Sequence, residues 1–199
     1  MSFAAVAWAP ALPGGPVLAG ARALAAALNA PDLRHPIAVL EWLHDTPLST
    51  VMRESVWAEP IVETVHVLTL ALFLGFVLLL DLRLLDVAMR ERRVSEIFSE
   101  LNPGLFGGFA VMLVTGLLLF SGDPVAFYGT WFFKAKMIML LAAGCNVLVF
   151  NATVGRRLSE WDGGARTPWG AKAAGIASLV LWIGIVAAGR AIAYALPPP

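Results

Sequence analysis

Val67–Leu80 reads VLTLALFLGFVLLL, and this stretch decides the fold. Its one polar side chain is Thr69, and the acidic residues Glu63 and Asp81 bracket it. Crossing a hydrocarbon layer about 30 Å thick takes about 20 mostly apolar residues at a helical rise of about 1.5 Å per residue. The run shows no alternation of apolar and polar residues, so it does not read as a half-buried strand. In lipid it must be helical, because an open strand leaves backbone groups unpaired.

Three further gaps between charges repeat the pattern. Leu105–Phe120 lies between Glu100 and Asp123, and Met137–Val154 lies between Lys136 and Arg156. Ala174–Gly189 lies between Lys172 and Arg190 and is extended by Ala191–Leu196. The expectation is an all-α, four-helix transmembrane bundle with spans near 60–82, 103–121, 131–154 and 174–196 inside a membrane domain of 58–199.

Composition agrees. Charged residues make up 14% of the 199, against about 25% in an average soluble domain. Hydrophobic residues reach 59%, and the mean hydropathy is +0.77. Disordered chains are poor in apolar residues, so disorder is excluded. Fourteen basic and fourteen acidic residues balance, which leaves no basic field for nucleic acid. The single Cys145 cannot form an intrachain disulfide.

Punctuation marks the helix ends. Glu59-Pro60 reads as the start of the first span, Asn102-Pro103 as the start of the second and Ser121-Gly122-Asp123-Pro124 as its end. Thr130 can cap the third span, Gly155 can end it, and Pro197-Pro198-Pro199 stops the fourth. Small residues give the second helix a close-packing side at Gly104, Gly108, Thr115 and Gly116. Ala143, Gly144, Gly175, Gly184 and Ala188 do the same for the third and fourth. Asp81, Asp86 and Glu91 interleave with Arg83, Arg90 and Arg92, which reads as a solvated helical extension of the first span.

Before the spans the chain changes character. Residues 1–35 form an apolar, low-complexity tail rich in Ala, Pro and Gly. Val17–Leu28 is signal-like, but no basic n-region precedes it and Pro13-Gly14-Gly15-Pro16 interrupts it, so a mispredicted start or a loosely packed tail is expected instead. Residues 36–57 read as two short amphipathic helices lying on the membrane, with Trp42 and Trp57 in the headgroup zone.

Loop cations set the expected orientation. Arg83, Arg90, Arg92 and Arg93 follow the first span, and Arg156, Arg157, Arg166 and Lys172 follow the third. Gly122–Thr130 carries no cation. Both basic loops are expected in the cytoplasm, which places both termini outside a bacterial inner membrane.

Five polar groups define the candidate site. His66, Lys136 and Arg190 each lie six residues from the outer end of a span, so each sits at about 9 Å depth. Glu63 lies one turn nearer the surface on the His66 side, and Thr115 reaches the same level from the second span. Ionisable groups within spans are functional candidates by default. A neutral imidazole binds iron through one nitrogen, and cations at the same level suit the propionates of a haem b. His66 is therefore the candidate metal ligand, with Lys136 and Arg190 as propionate partners, and Phe73, Phe76 and Leu80 along the macrocycle. No second histidine lies in a span. His35, His44, Met112, Met137 and Met139 are the remaining candidates for a second ligand, so a five-coordinate or weakly six-coordinate iron is expected. The alternative is a non-enzymatic scaffold or accessory subunit in which these groups only hold helices together, with His66 bonded to Thr115 and Glu63 paired to a cation. The lipid bilayer is the expected surrounding; a homo-oligomer and a membrane redox partner both stay open.

Residues 37–196 also resemble a bacterial family of uncharacterised four-helix membrane proteins. The resemblance is carried by Glu41-Trp42-Leu43, Thr46-Pro47-Leu48-Ser49, Arg53-Glu54-Ser55, Glu63-Thr64-Val65-His66-Val67-Leu68, Asp81-Leu82-Arg83, Thr115-Gly116-Leu117-Leu118-Leu119-Phe120 and Phe133-Lys134-Ala135-Lys136. More distantly, His66 and the Trp131…Lys136 pattern are similar to the membrane protoporphyrinogen oxidase and copper-resistance-D type families. That likeness implies a haem-bearing, porphyrin-handling bundle and, if an enzyme, an oxidoreductase of porphyrinogen-oxidase type. Cys145-Asn146 departs from the pattern where a further polar or histidine group is matched.

Overall fold

The structure is a computed structural model, described here for residues 36–162 and 167–195. The low-complexity tail, His35, Arg166 and the terminal prolines lie outside the described residues. Residues 40–195 belong to one compact unit, and the short stretch before them to another.

Two short helices, α1 (Pro36–His44) and α2 (Pro47–Glu54), precede the first long helix, α3 (Ala58–Leu84). Then follow α4 (Val94–Gly122), the short α5 (Pro124–Gly129) and α6 (Trp131–Ala152). A single 3₁₀ turn and α7 (Leu158–Trp161) lead to α8 (Trp169–Ala195). Helices α3, α4, α6 and α8 are long and apolar enough to cross a membrane, and no strand occurs among the described residues. Their outward faces are greasy: Leu72, Leu141 and Ile183 each leave about two thirds of their surface uncovered. Such surfaces suit a multi-pass membrane protein, because lipid tails cover them at no hydrophobic cost.

Helix α3 packs against α4 on one side and α8 on the other, and α8 in turn packs against α6. The small residues explain the close contacts. Gly104, Gly108 and Gly116 face α3, against Phe76, Phe73 and His66 respectively. Gly175 lets α8 approach the Asp81 carbonyl and Leu84, and Gly184 receives Met139 of α6. Gly144 meets no neighbour.

The expected cap at Thr130 is present, accepting from the Phe133 N–H. Thr46 accepts from the Ser49 N–H and Asp123 from Ala126 in the same way. Elsewhere the bounds differ. The first helix begins at Ala58, where the Ser55 hydroxyl accepts from the N–H groups of Trp57 and Ala58. Helix α4 starts at Val94, and Pro103 sits inside it rather than opening it. Its cap comes from a distant residue: the Asp162 carboxylate accepts from the Ser95 N–H at 3.2 Å and also binds the Ser95 hydroxyl. An anion at a helix N-terminus both satisfies free N–H groups and complements the dipole. Helix α6 ends at Ala152, before Gly155.

The expected solvated extension of α3 is also corrected. The helix stops at Leu84, and the chain then turns back through Asp86 and Met89, both in the left-handed region (φ 56° and 50°). Arg83 is 5% exposed. Its Nη1 donates to Asp86 Oδ1 and to Thr167 Oγ1, both at 3.2 Å, and its Nε donates to the Arg92 carbonyl at 2.7 Å. Thr167 donates its hydroxyl proton to Asp86 Oδ1 at 2.6 Å, and Lys172 reaches Asp86 Oδ2 at 2.8 Å. Beside this latch, Leu84, Val94 and the fully buried Ala171 form a small core with Leu80, Phe150, Val154, Leu158 and Trp161.

Burial would raise the Asp86 carboxyl, but hydrogen bonds from Lys172 and Thr167 outweigh it and hold it down at about 2. A depressed carboxyl contributes stability that is present above its unfolded value and lost as pH falls through the folded one. Thermal stability in detergent is therefore expected to be flat near neutrality in this respect and to fall between about pH 4 and about pH 2. Asp86→Asn should flatten that acid limb; an unchanged limb would show that Asp86 does not cause it.

Candidate functional site

The two ends of the bundle differ in chemistry. At one end lie the Arg83–Asp86 latch and the cations Arg90, Arg92, Arg93, Arg156 and Arg157. At the other lie His66, Lys136 and the short helices α2 and α5.

At the His66 end an aromatic cluster joins α4, α5 and α6. Phe120 stacks on Phe133 with ring centroids 5.1 Å apart, and Phe127 packs edge-on against both. Helix α2 is tied to the same end of α4. Ser49 and Arg53 donate to the Gly122 carbonyl at 3.3 and 3.2 Å, and Met52 is buried beside it. These bonds occupy a carbonyl that the end of α4 leaves free. Leu48, Val51 and Trp57 stay exposed.

One turn below the aromatic cluster comes a polar layer. The half-buried His66 ring places Nδ1 2.8 Å from Thr115 Oγ1. Thr115 is buried, and its hydroxyl lies 2.7 Å from the Val111 carbonyl. A hydroxyl has one proton to give, and a carbonyl can only accept. The Thr115 proton therefore goes to Val111, and His66 must donate through Nδ1–H. This assigns the tautomer: Nε2 keeps its lone pair and has no hydrogen bond among the described residues. Gly116 makes room for the ring, since a Cβ there would stand 3.4 Å from His66 Cε1.

The Lys136 ammonium lies close enough for its charge to act on the imidazole. It packs beside Gly189, where a Cβ would stand 3.7 Å from Nζ. The structure thus brings His66, Thr115 and Lys136 to one layer. Arg190 does not join them. It is exposed, donates to Tyr194 Oη at 3.0 Å and lies over the Tyr194 ring along its own helix. Glu63 is exposed and has no ion-pair partner among the described residues.

The residues expected along a macrocycle are engaged in packing. Phe73 sits edge-on to Trp182, 4.9 Å between centroids, and faces Phe109 at 6.4 Å. Phe76 fills the groove at Gly104, and Leu80 belongs to the core near Leu84. Met112 is buried on α4, Met139 packs on Gly184, and Met137 is exposed. His44 lies 3.4 Å from Arg53 Nη1 and 3.9 Å from Asp123, beside an open cavity of about 550 Å³ also lined by Glu41 and Asp45. Among the described residues no group of three or more His, Cys, Asp or Glu could hold a metal ion.

Sequence reasoning missed Asp81 as an interior group. It is 4% exposed, with the Ser178 hydroxyl beside it and Oδ2 without a hydrogen-bond partner among the described residues. The signal was present, since an acidic residue closes the first apolar run. Asn146, where a polar group of α6 was expected, donates to the Ala174 carbonyl at 3.0 Å and so ties α6 to α8.

Residues 46–195 match a family described as a family of unknown function, DUF6644. The chain belongs to this family. The match takes in all four long helices of this family member and starts at the Thr46 cap of α2. No curated protein and no solved structure matches the chain. The comparisons lend no support to the distant likeness to protoporphyrinogen oxidase and copper-resistance-D type proteins.

Proposed function

We propose that this family member holds a haem b, or a closely related metalloporphyrin, at the His66 end of its bundle. The observation that carries the reading is the Nδ1–H bond from His66 to Thr115. Ligating histidines characteristically donate their other nitrogen to a neighbouring acceptor, which fixes the tautomer and aims the free lone pair. His66 has this arrangement before any ligand is considered. Lys136 suits a propionate in a low-dielectric layer. The haem would supply one-electron chemistry at its iron; His66 would hold it, and Lys136 would orient it. With Met112 buried in packing, Met139 on Gly184 and Met137 exposed, His66 is the residue of this layer that would hold the iron. The fit is smaller than the sequence suggested, because Arg190 turns to Tyr194.

Purified protein supplemented with haem is expected to show a Soret band that shifts on reduction with dithionite. No band after supplementation would overturn the reading. By the excess of Lys and Arg, the latch end faces the cytoplasm and the His66 end faces out. A C-terminal alkaline phosphatase fusion should then be active; activity of a C-terminal fluorescent fusion alone would reverse the orientation. The short helix α2 would lie at the outer interface, with Leu48, Val51 and Trp57 in lipid.

A second reading rests on the same bond. His66 and Thr115 join α3 to α4, and the pair suits a scaffold whose polar layer only pins helices. It predicts a stability loss in His66 variants with no optical change.

A further inference from the structure

A second interior polar group lies fifteen residues along α3 from His66, and among the described residues no cation pairs with it. Asp81 is 4% exposed, and its Oδ2 is fully buried without a hydrogen-bond partner among the described residues. It stands three residues before the end of α3, about 5 Å inside the helix end. Two described cations lie at this level, Arg83 two residues on along α3 and Lys172 on α8, one turn before the Gly175 that meets the Asp81 carbonyl. Both turn to Asp86 instead, Arg83 at 3.2 Å and Lys172 at 2.8 Å. On α4 the neighbouring charged group is Glu100, which is exposed and paired with Arg92. Helix α6 brings no ionisable group besides Cys145 near this end; its lysines, Lys134 and Lys136, lie at the other. The Asn146 amide is spent on the Ala174 carbonyl. The Ser178 hydroxyl stands beside the carboxyl.

An ionised carboxylate taken from water without a cation or a full set of donors costs several kcal/mol. A proton on Oδ2 removes that cost. A monovalent metal ion does not fit, since one carboxyl and one hydroxyl fall short of a coordination shell. We propose that Asp81 is a proton-binding site of the membrane domain, loaded at rest and exchanging its proton with water at the latch end. On loading, Oδ2 takes a proton from water or hydronium. On release, the proton returns to water, and the Ser178 O–H can rotate to donate to the carboxylate left behind. The inference is independent of the ligand proposed at His66.

Infrared spectroscopy of the full-length protein in detergent tests it. At neutral pH the wild type should show the carbonyl-stretch band of a protonated carboxylic acid. The band should shift in heavy water, diminish at alkaline pH and be lost in Asp81→Asn. This substitution is nearly isosteric, and an unchanged chromatographic profile checks its fold. Ser178→Ala should move the band without removing it, which keeps the test alive if Asp81→Asn fails to fold. Four results would overturn the proposal: no band in the wild type, the same band in Asp81→Asn, no response to Ser178→Ala, or a band unchanged in heavy water.

Discussion

His66→Ala is expected to abolish the Soret band of haem-supplemented protein outright, while Thr115→Val weakens haem retention about ten- to a hundredfold. The two variants probe different atoms. Removing the imidazole removes the Nε2 lone pair, for which no other span holds a substitute. Thr115→Val keeps the shape of the side chain but deletes the acceptor, leaving the Nδ1–H unpaired in a buried layer. That orphan donor costs about 1–3 kcal/mol, and the ring is free to change tautomer or turn. Lys136→Ala should shift the spectrum or loosen the haem without abolishing the band, because it acts on the periphery. Thermal unfolding measured in parallel separates the readings. If His66→Ala and Thr115→Val lower stability to the same degree and neither alters a spectrum, the layer only pins helices.

What was legible in the sequence follows the range of the forces involved. The four spans could be read because hydrocarbon imposes one requirement along the whole run, and the run is local. Thr130 could be read as a cap because it serves an N–H three residues ahead. The start of α4 could not, because its cap, Asp162, lies 67 residues away. The latch was misread for the same reason. Asp86 and Arg83 look like partners of their own helix until Thr167, just before α8, and Lys172, in its first turn, arrive from far along the chain.

The candidate site divides along another line. Depth from a helix end fixes a level, and His66, Thr115 and Lys136 share theirs. It does not fix azimuth or rotamer, which is why Arg190 was placed with them although Tyr194, four residues on, offers it a nearer partner. Asp81 was passed over because it was read as the end of an apolar run. Only the approach of α8 at Gly175 shows that the chain buries it.

Arg83→Ala is expected to be the most damaging single change at the latch end, costing about 3 kcal/mol. Arg83 is 5% exposed, and three acceptors depend on it: Asp86 Oδ1, Thr167 Oγ1 and the Arg92 carbonyl. Truncation leaves the Arg92 carbonyl without its donor. Lys172 still serves Asp86, which holds the loss near the lower end of the range for a broken buried pair. Lys172→Ala should cost less, since its side chain keeps 28% exposure and solvent screens the charge it leaves behind. Because Arg83 also holds the loop after α3 through the Arg92 carbonyl, its loss should free that loop, and limited proteolysis should cut there first. Thermal unfolding in detergent, with the exposed Arg156→Ala as control, measures the difference. Should Arg83→Ala unfold at the same temperature as the control, the latch does not hold the helices, and the loop after α3 is positioned by the Leu84–Val94–Ala171 core instead.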